Sequence, residues 1–469
     1  MSPTLLNIDS LRAVAARGVA VPDYARSGVI GVVHLGLGAF HRAHQALVFD
    51  ALLQRGDARW GVLGVSMRNP AVADTLAAQD GLYAVQVASA AGVHWQVSGA
   101  VWQTCVAARE SAQVVAALAA PGTRWVTLTV TEKGYGPALA ELMVQGLAAR
   151  YAADLGGLTI ASCDNLSNNG RRLQALCVAA AQDPALAAWI STTCAFPNSM
   201  VDRIVPAATA ERLTAAAGAL GVEDHAALGT EACWEWVIER RFVDDSDGAA
   251  LAAVGVTVVN DVTPFEEAKL RMLNGSHTAM ACIGAVAGWP VISDCVNQPA
   301  VHQFIHSLMT HEVGPQLSRS DWPAYRDALL QRFANPALRH SAHQIATDSS
   351  QKIPQRWPPS VVGARQLDLP VEHLAFAAAA WMRYLRGSDE AGEPYTMNDP
   401  MAGELHALAL SHAGDAAATV QALGTLAAIW GDALPGDAAW LARVTHWLTQ
   451  INALGMLAAL AQLNSENPS

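Results

Sequence analysis

At 469 residues the chain exceeds one small domain, and at ~150 residues per domain it has room for two or three. Hydrophobic residues make up 52% and charged residues 15%, which supplies a large core and excludes a disordered chain. A formal net charge of −12, with no run of Lys or Arg, sets the surface against a phosphate backbone and excludes nucleic acid as an expected partner.

Mean hydropathy is positive, at +0.21, yet the longest apolar stretch, residues 279–291, contains Gly284, Gly288 and Pro290. It falls short of the ~20 residues a membrane span needs. It reads as a buried helix and its end, so no membrane partner is expected. Near the N-terminus Asp9 interrupts the apolar residues, and Arg12 and Arg17 follow them, the reverse of the order in a secretory leader. The seven cysteines form no CxxC pair and are odd in number. Free thiols in a reducing cytoplasm are the expectation.

In chain order, residues 29–35 (VIGVVHL) form a short apolar run before glycines, as a buried parallel strand does. Residues 39–55 carry helical periodicity. Strands are predicted at 60–66, at 125–131, rich in β-branched residues, and at 158–163. Strands separated by helix-length segments imply βαβ units and a parallel sheet. After Pro264 long Ala- and Leu-rich segments, such as 374–385 and 416–430, read as helices. The expected architecture is α/β: a Rossmann-type dinucleotide-binding domain over 1–263, then a mostly α-helical substrate-binding and catalytic domain over 264–469.

The first predicted strand runs into Gly36-Leu37-Gly38-Ala39-Phe40-His41. In a dinucleotide fold the first glycine allows the tight turn, and the second lets a pyrophosphate approach backbone N–H groups at a helix start. Gly36, Gly38, Phe40 and His41 are therefore candidate cofactor residues, although His41 stands where the third glycine of GxGxxG belongs. A glycine turn in some other α/β protein is the competing reading. His34, His41 and His44 lack a carboxylate or cysteine at ligand spacing, so no metal site is expected. The second strand ends Ser66-Met67-Arg68-Asn69 without the acid that commonly reads the NAD ribose. Arg68 either accommodates a 2′-phosphate or is a solvated loop residue, which leaves NAD expected and NADP possible.

Thr263 as cap, Pro264 at the first helical position and Glu266 three residues on mark a helix start. At ~100° per residue Lys269, Asn274 and His277 fall within an arc of about 140°, with Glu266 near its middle. Alcohol oxidation by hydride transfer needs a base for the hydroxyl proton, and a lysine serves if an apolar pocket lowers its pKa. Asparagine N–H groups can hold the developing oxyanion. On spacing alone, a surface helix face with a few polar residues remains an equal reading.

Five segments, GLGAFHRAHQ, LTVTEKGYG, SCDNLSNNG, FPNSMVDRIVP and KLRMLNGSH, resemble the polyol-specific long-chain dehydrogenases, the mannitol dehydrogenase family. They occur in that family's order, and the resemblance runs from about residue 28 to beyond 400. It implies a metal-independent, NAD(P)-dependent oxidoreductase with Lys269 as catalytic base. It also implies that Asn165 and Asn274 hold the reacting oxygen, that His277 binds a neighbouring hydroxyl, and that Glu266 passes the proton from the lysine to water. Asp202 and Arg203 are similar to residues lining the nicotinamide end of the cleft, with a buried structural ion pair as an equal alternative. The family is often monomeric, so a monomer or weak oligomer is expected, with a small sugar acid or polyol as partner.

Within the family, Thr131-Glu132-Lys133-Gly134-Tyr135 and the segments 348–356 and 381–384 resemble the fructuronate reductase (D-mannonate oxidoreductase) branch more than the mannitol 2-dehydrogenase branch. A substrate carboxylate would favour a nearby cation, and Lys133, Lys352, Arg356 and Arg203 are the candidate substrate-binding residues. Each of the first three could equally be a solvated surface cation. A nucleotide-binding sensor that lost catalysis is the remote alternative, and a sensor has no need of a base.

Overall fold

The computed structural model describes residues 4–89, 92–336 and 340–467. The chain divides into two compact units, Met1–Val262 and Thr263–Ser469.

In the first unit the strands are β1 (Val32–Leu35), β2 (Val62–Ser66), β3 (Tyr83–Ser89), β4 (Gly92–Ser98), β5 (Val101–Val106), β6 (Trp125–Leu128), β7 (Thr159–Ser162), β8 (Ser199–Asp202), β9 (Leu228–Glu231), β10 (Glu235–Glu239) and β11 (Thr257–Val259). A five-stranded parallel sheet has the order β5-β2-β1-β6-β7. The order reverses at β1, which places a switch point between β1 and β6, where ligands of open α/β sheets bind. Every residue of β1, β2, β6 and β7 is buried, which is why these four read as continuous apolar runs. Val33, Leu35, Leu63, Val65, Val126, Leu128 and Ile160 line one face. Val32, Val62, Trp125 and Ala161 line the other with Trp60, Trp236 and Phe49.

Two smaller sheets, β4-β3-β9 and β11-β10-β8, complete this unit. The sequence reading missed both, and β5 as well. Outer residues of β4 and β11 are exposed, so neither shows a buried run. The helix expected over 39–55 breaks at His44, whose φ of −126° and ψ of −91° leave the helical region, giving Ala39–Ala43 and Gln45–Gln54.

The second unit is helical, and among its described residues no strand forms. Its core runs along Gly275–Val286, all twelve residues of which are buried. Another buried helix, Glu372–Tyr384, contributes consecutive small residues, Ala377 to Ala380. The 416–430 expectation resolves into two helices, Ala416–Gly424 and Ala427–Trp430. Among the described residues, no helix is long and apolar enough to cross a membrane.

Beneath the glycine turn of the first unit, the rings of His34 and His41 stack with centroids 3.3 Å apart and planes 11° from parallel. His34 Nε2 lies 3.1 Å from the Gly36 carbonyl, and Nδ1 lies 2.8 Å from Thr127 Oγ1. A carbonyl can only accept, so Nε2 carries the proton and Nδ1 accepts from the threonine hydroxyl. Burial pushes His34 down to about 3. It also holds His41 well below the ordinary imidazole range, with repulsion from His34 as the next cause.

Unfolded imidazoles take up protons near pH 6.5, whereas these two stay neutral when folded. The stability they contribute is full above that pH and falls as pH drops below it, by up to ~1.4 kcal/mol per pH unit for each ring. Urea unfolding followed from about pH 7 to about pH 4 should show this acid limb, and His34→Gln should flatten it. An unchanged slope in that variant would show that the buried pair is not the source.

Candidate active site

On the first unit, the glycine turn, Arg68, Lys133 and Asn165 follow the carboxyl ends of the parallel strands β1, β2, β6 and β7, while Asp202 and Arg203 stand at the end of β8. Gly36 has φ +101°, and a Cβ there would sit 2.2 Å from the Thr129 carbonyl oxygen, so only glycine fits. Its N–H and that of Leu37 both donate to the Val65 carbonyl, at 2.8 and 3.1 Å, tying the turn to the end of β2. Gly38 caps the following helix in extended conformation. A Cβ on it would meet only the Gly36 carbonyl at 3.7 Å, so space is open beside this backbone. Phe40 stacks on His44, with centroids 5.1 Å apart. His41, in the position of the missing third glycine, is wholly buried against His34 and supports the turn from below.

Arg68 is exposed just past β2. It lines a cavity of about 590 Å³, shared with Met67, Ser111, Lys133, Gly134 and Gln145. The two cations named from sequence for different ligands therefore line one cavity. The loop carrying Lys133 is held by Asp164. Its Oδ1 accepts from the Thr131 N–H at 2.7 Å, and its Oδ2 from the Val130 N–H at 3.2 Å and the Tyr135 hydroxyl at 3.0 Å. Thr131 has φ +64°, a strained conformation for a β-branched residue. Burial raises the Asp164 carboxyl pKa, while these hydrogen bonds work in the opposite direction.

Asn165, next in sequence, lies exposed beyond the end of β7. The Asn169 amide donates to the carbonyls of Asp164 (3.0 Å) and Ser199 (2.7 Å), so the SCDNLSNNG and FPNSMVDRIVP motifs are knitted together. Asp202 ends β8, largely buried. The Arg203 guanidinium donates to the carbonyls of Ala43 (2.7 Å) and Glu231 (3.1 and 2.8 Å), bracing the end of the helix Ala39–Ala43.

On the second unit the informative segment is not one regular helix. Thr263–Ala268 is α-helical, Lys269–Asn274 is a π-helical turn, and Gly275–Val286 is α-helical again. The Gly275 N–H reaches back to the Leu270 carbonyl, five residues earlier. An α-helix sets residues five apart about 140° around its axis. A π turn, bonded from i to i+5, brings them towards one side and recurs at functional sites. Lys269 and Asn274 are such a pair. Lys269 and His277 are each 8% exposed, while Asn274 and Glu266 are half-buried.

His277 stacks on Phe333, with centroids at 5.3 Å, and lies 5.4 Å from the His340 ring. Burial and the nearby Arg332 guanidinium push His340 down to about 4. Arg356 is buried, 9% exposed. Its Nη1 donates to the Asn274 carbonyl at 3.1 Å and to the Thr278 hydroxyl, which itself donates to the same carbonyl at 2.9 Å. The Trp357 indole N–H donates to the next carbonyl, that of Gly275, at 3.1 Å. The Lys352 ammonium donates to the Ile345 carbonyl at 3.1 Å, and burial, with repulsion from Arg356, brings its pKa down to about 8.

Sequence reasoning did not name Asp164, Thr278, Arg332, Phe333, His340 or Trp357 as site residues. For two of these a signal existed: Thr278 stands four residues after Asn274, and Trp357 adjoins Arg356. Among the described residues no cluster of three or more His, Cys, Asp or Glu side chains could hold a metal ion.

Residues 30–247 match the model of the mannitol dehydrogenase Rossmann domain, and residues 261–452 match that of the mannitol dehydrogenase C-terminal domain. The chain is 38% identical to the D-mannonate oxidoreductase of Escherichia coli (strain K12), across 95% of this chain and 98% of that one. It is 35% identical to a mannitol 2-dehydrogenase of Phaeosphaeria nodorum, across 98% of this chain and 86% of that one. The fold superposes on the Pseudomonas fluorescens mannitol 2-dehydrogenase, solved as a ternary complex with NAD and D-mannitol. That match has a TM-score of 0.86 at 30% identity and covers 99% of this chain and 100% of that one. The chain thus belongs to the mannitol dehydrogenase family, and it is an oxidoreductase acting on a CH–OH group.

Proposed function

We infer that this enzyme interconverts a secondary alcohol and a ketone in a six-carbon sugar acid of the mannonate and fructuronate kind, with NAD as cofactor and NADP accepted. The observation that carries the chemistry is the π turn, which sets the ammonium of Lys269 and the amide of Asn274 five residues apart in a largely buried segment. When bound, the nicotinamide supplies the group that takes or gives the hydride. The protein's share is proton and charge management. Neutral Lys269 removes the hydroxyl proton as the carbon loses its hydride, and the Asn274 amide donates to the oxygen as negative charge develops. Asn165 keeps the role its motif implies, that of a second amide donor. Glu266, three residues before Lys269, is the carboxylate that passes the proton on to water.

The glycine turn suits a dinucleotide, since Gly38 leaves open space beside extended backbone and the sheet order gives a switch point. Arg68 and Lys133, lining one cavity, add positive charge where β2 ends without an acid. We assign Lys133 to the cofactor on that ground, with Arg68 reading a 2′-phosphate beside it. The acid substrate is favoured by the Lys352 cation of the second unit. Burial, then repulsion from Arg356, brings the Lys352 pKa down to about 8, and Arg356 touches the residue that carries the amide. A carboxylate near Lys352 would relieve that repulsion through a charge-assisted bond.

Three outcomes test this reading. Lys269→Ala should lower turnover by about 10²–10⁴-fold, the share of general acid–base catalysis, while cofactor binding followed by fluorescence titration stays near the parent value. Parent-like turnover at saturating substrate across the pH range would remove Lys269 as the base.

In kcat/KM measurements with both cofactors, Arg68→Ala and Lys133→Gly should each depress the NADP value roughly tenfold, ~1.4 kcal/mol, with a smaller change for NAD. Equal losses for the two cofactors would return Lys133 to the substrate or to solvent.

A panel of sugar acids and polyols should show preference for the acid, and Lys352→Met should shrink that preference by roughly 1.5–3 kcal/mol, mainly through the acid. Efficient turnover of mannitol with none of mannonate would move the enzyme to the mannitol-oxidising reading and leave the Lys269 chemistry unchanged.

A further inference from the structure

Arg356 is a full cation in the core of the second unit. Its hydrogen bonds go to a backbone carbonyl and a threonine hydroxyl, and among the described residues no carboxylate pairs with it. Burying a cation without an opposite charge is unfavourable, so replacing it with an apolar side chain of similar volume removes that cost. An arginine kept there is explained by what it holds.

The atoms it holds are specific. The Asn274 carbonyl accepts from Arg356 Nη1 and from the Thr278 hydroxyl, and the adjacent Gly275 carbonyl accepts from Trp357 Nε1. A carbonyl oxygen offers two lone pairs, and the helix ladder occupies at most one of them. Two consecutive carbonyls are thus gripped from outside at the point where i+5 bonding returns to i+4 bonding. The grip is itself fixed, since the Ser360 hydroxyl donates to the Arg356 carbonyl at 3.0 Å.

A π turn is the rarer arrangement and depends on its surroundings. Released from the grip, the segment would tighten towards α-helical spacing and carry Asn274 up to about 140° around the axis from Lys269. We propose that Arg356 and Trp357 are positioning residues that keep the π turn open and so hold the Asn274 amide on the same side as Lys269. This inference rests on the role given to Asn274 above.

The test is a double-mutant cycle between Arg356→Met and Asn274→Ala, with kcat, KM and the primary isotope effect measured on a substrate deuterated at the reacting carbon. Thermal unfolding is recorded alongside. Arg356→Met should lower kcat about 10–100-fold, the scale of a small displacement of a catalytic group. KM should change by less than about threefold, the isotope effect should rise as hydride transfer becomes slower, and the unfolding midpoint should stay close to the parent's. In the Asn274→Ala background the same change should add less than about twofold, because the amide it positions is gone.

Parent-like kcat in Arg356→Met overturns the proposal, and so does a full, additive loss in the double variant. If Asn274→Ala alone keeps parent turnover, the role of Asn274 fails first and the positioning role fails with it. A large additive loss with Asn274 shown to matter sinks the positioning role alone. Should Arg356→Met not fold, Trp357→Phe, which removes the indole N–H donor and keeps a smaller aromatic ring in the core, replaces it in the same cycle, with kcat, KM and the isotope effect read by the same criteria and a lower unfolding midpoint expected from the lost volume.

Discussion

The change of hydrogen-bond register at Lys269–Asn274 is the constraint on which the arrangement of the second unit's candidate residues depends. A regular helix could carry a lysine and an asparagine five residues apart only on well-separated sides. The wider turn removes that separation with backbone alone, at the cost of a segment that its own ladder does not favour. The compensation comes from beyond the segment, through Arg356, Trp357 and the Thr278 hydroxyl. Burial of all twelve residues of Gly275–Val286 gives those donors a rigid element to act on. The wider turn and a charged side chain in an apolar core are two sides of a single arrangement.

The first unit meets a comparable need by neutral means. Its glycine turn rests on two imidazoles that burial keeps uncharged. Through Thr127, Thr129 and the Gly36 carbonyl, His34 joins β1 to β6 across the switch point. Because this support carries no charge, its hold on the turn is insensitive to pH across the neutral range. Positive charge is delegated instead to Arg68 and Lys133 at the rim of the cavity.

Much of this was legible in the sequence, for identifiable reasons. The four buried strands β1, β2, β6 and β7 are apolar on both faces and short, so they stand out as runs such as VIGVVHL and LTIASC. The smaller sheets did not stand out, since β4 has exposed positions and β8 is written FPNSMVD, a stretch dominated by its loop residues. The lysine, asparagine and histidine of the second unit were named as candidates by type and motif. Their arc was drawn at 100° per residue, and nothing in KLRMLNGSH announces a π turn, which arises from tertiary donors more than eighty residues away, at Arg356 and Trp357. Lys133 illustrates the opposite limit: its charge was visible in the sequence, but the cavity it lines is a matter of three-dimensional neighbours.

Asp164 has a consequence that reaches beyond stability. One carboxylate receives the backbone of Val130 and Thr131 and the hydroxyl of Tyr135, while its own chain neighbour is Asn165. The loop that presents Lys133 and the strand end that presents Asn165 therefore share a hinge pin. A relative's loop grafted in to alter the ligand preferred by that rim would disturb the asparagine as well, so substitutions on the two segments should show epistasis. Redesign at this edge has to transplant the loop and the SCDN segment together, because the loop is bonded to the aspartate that precedes Asn165.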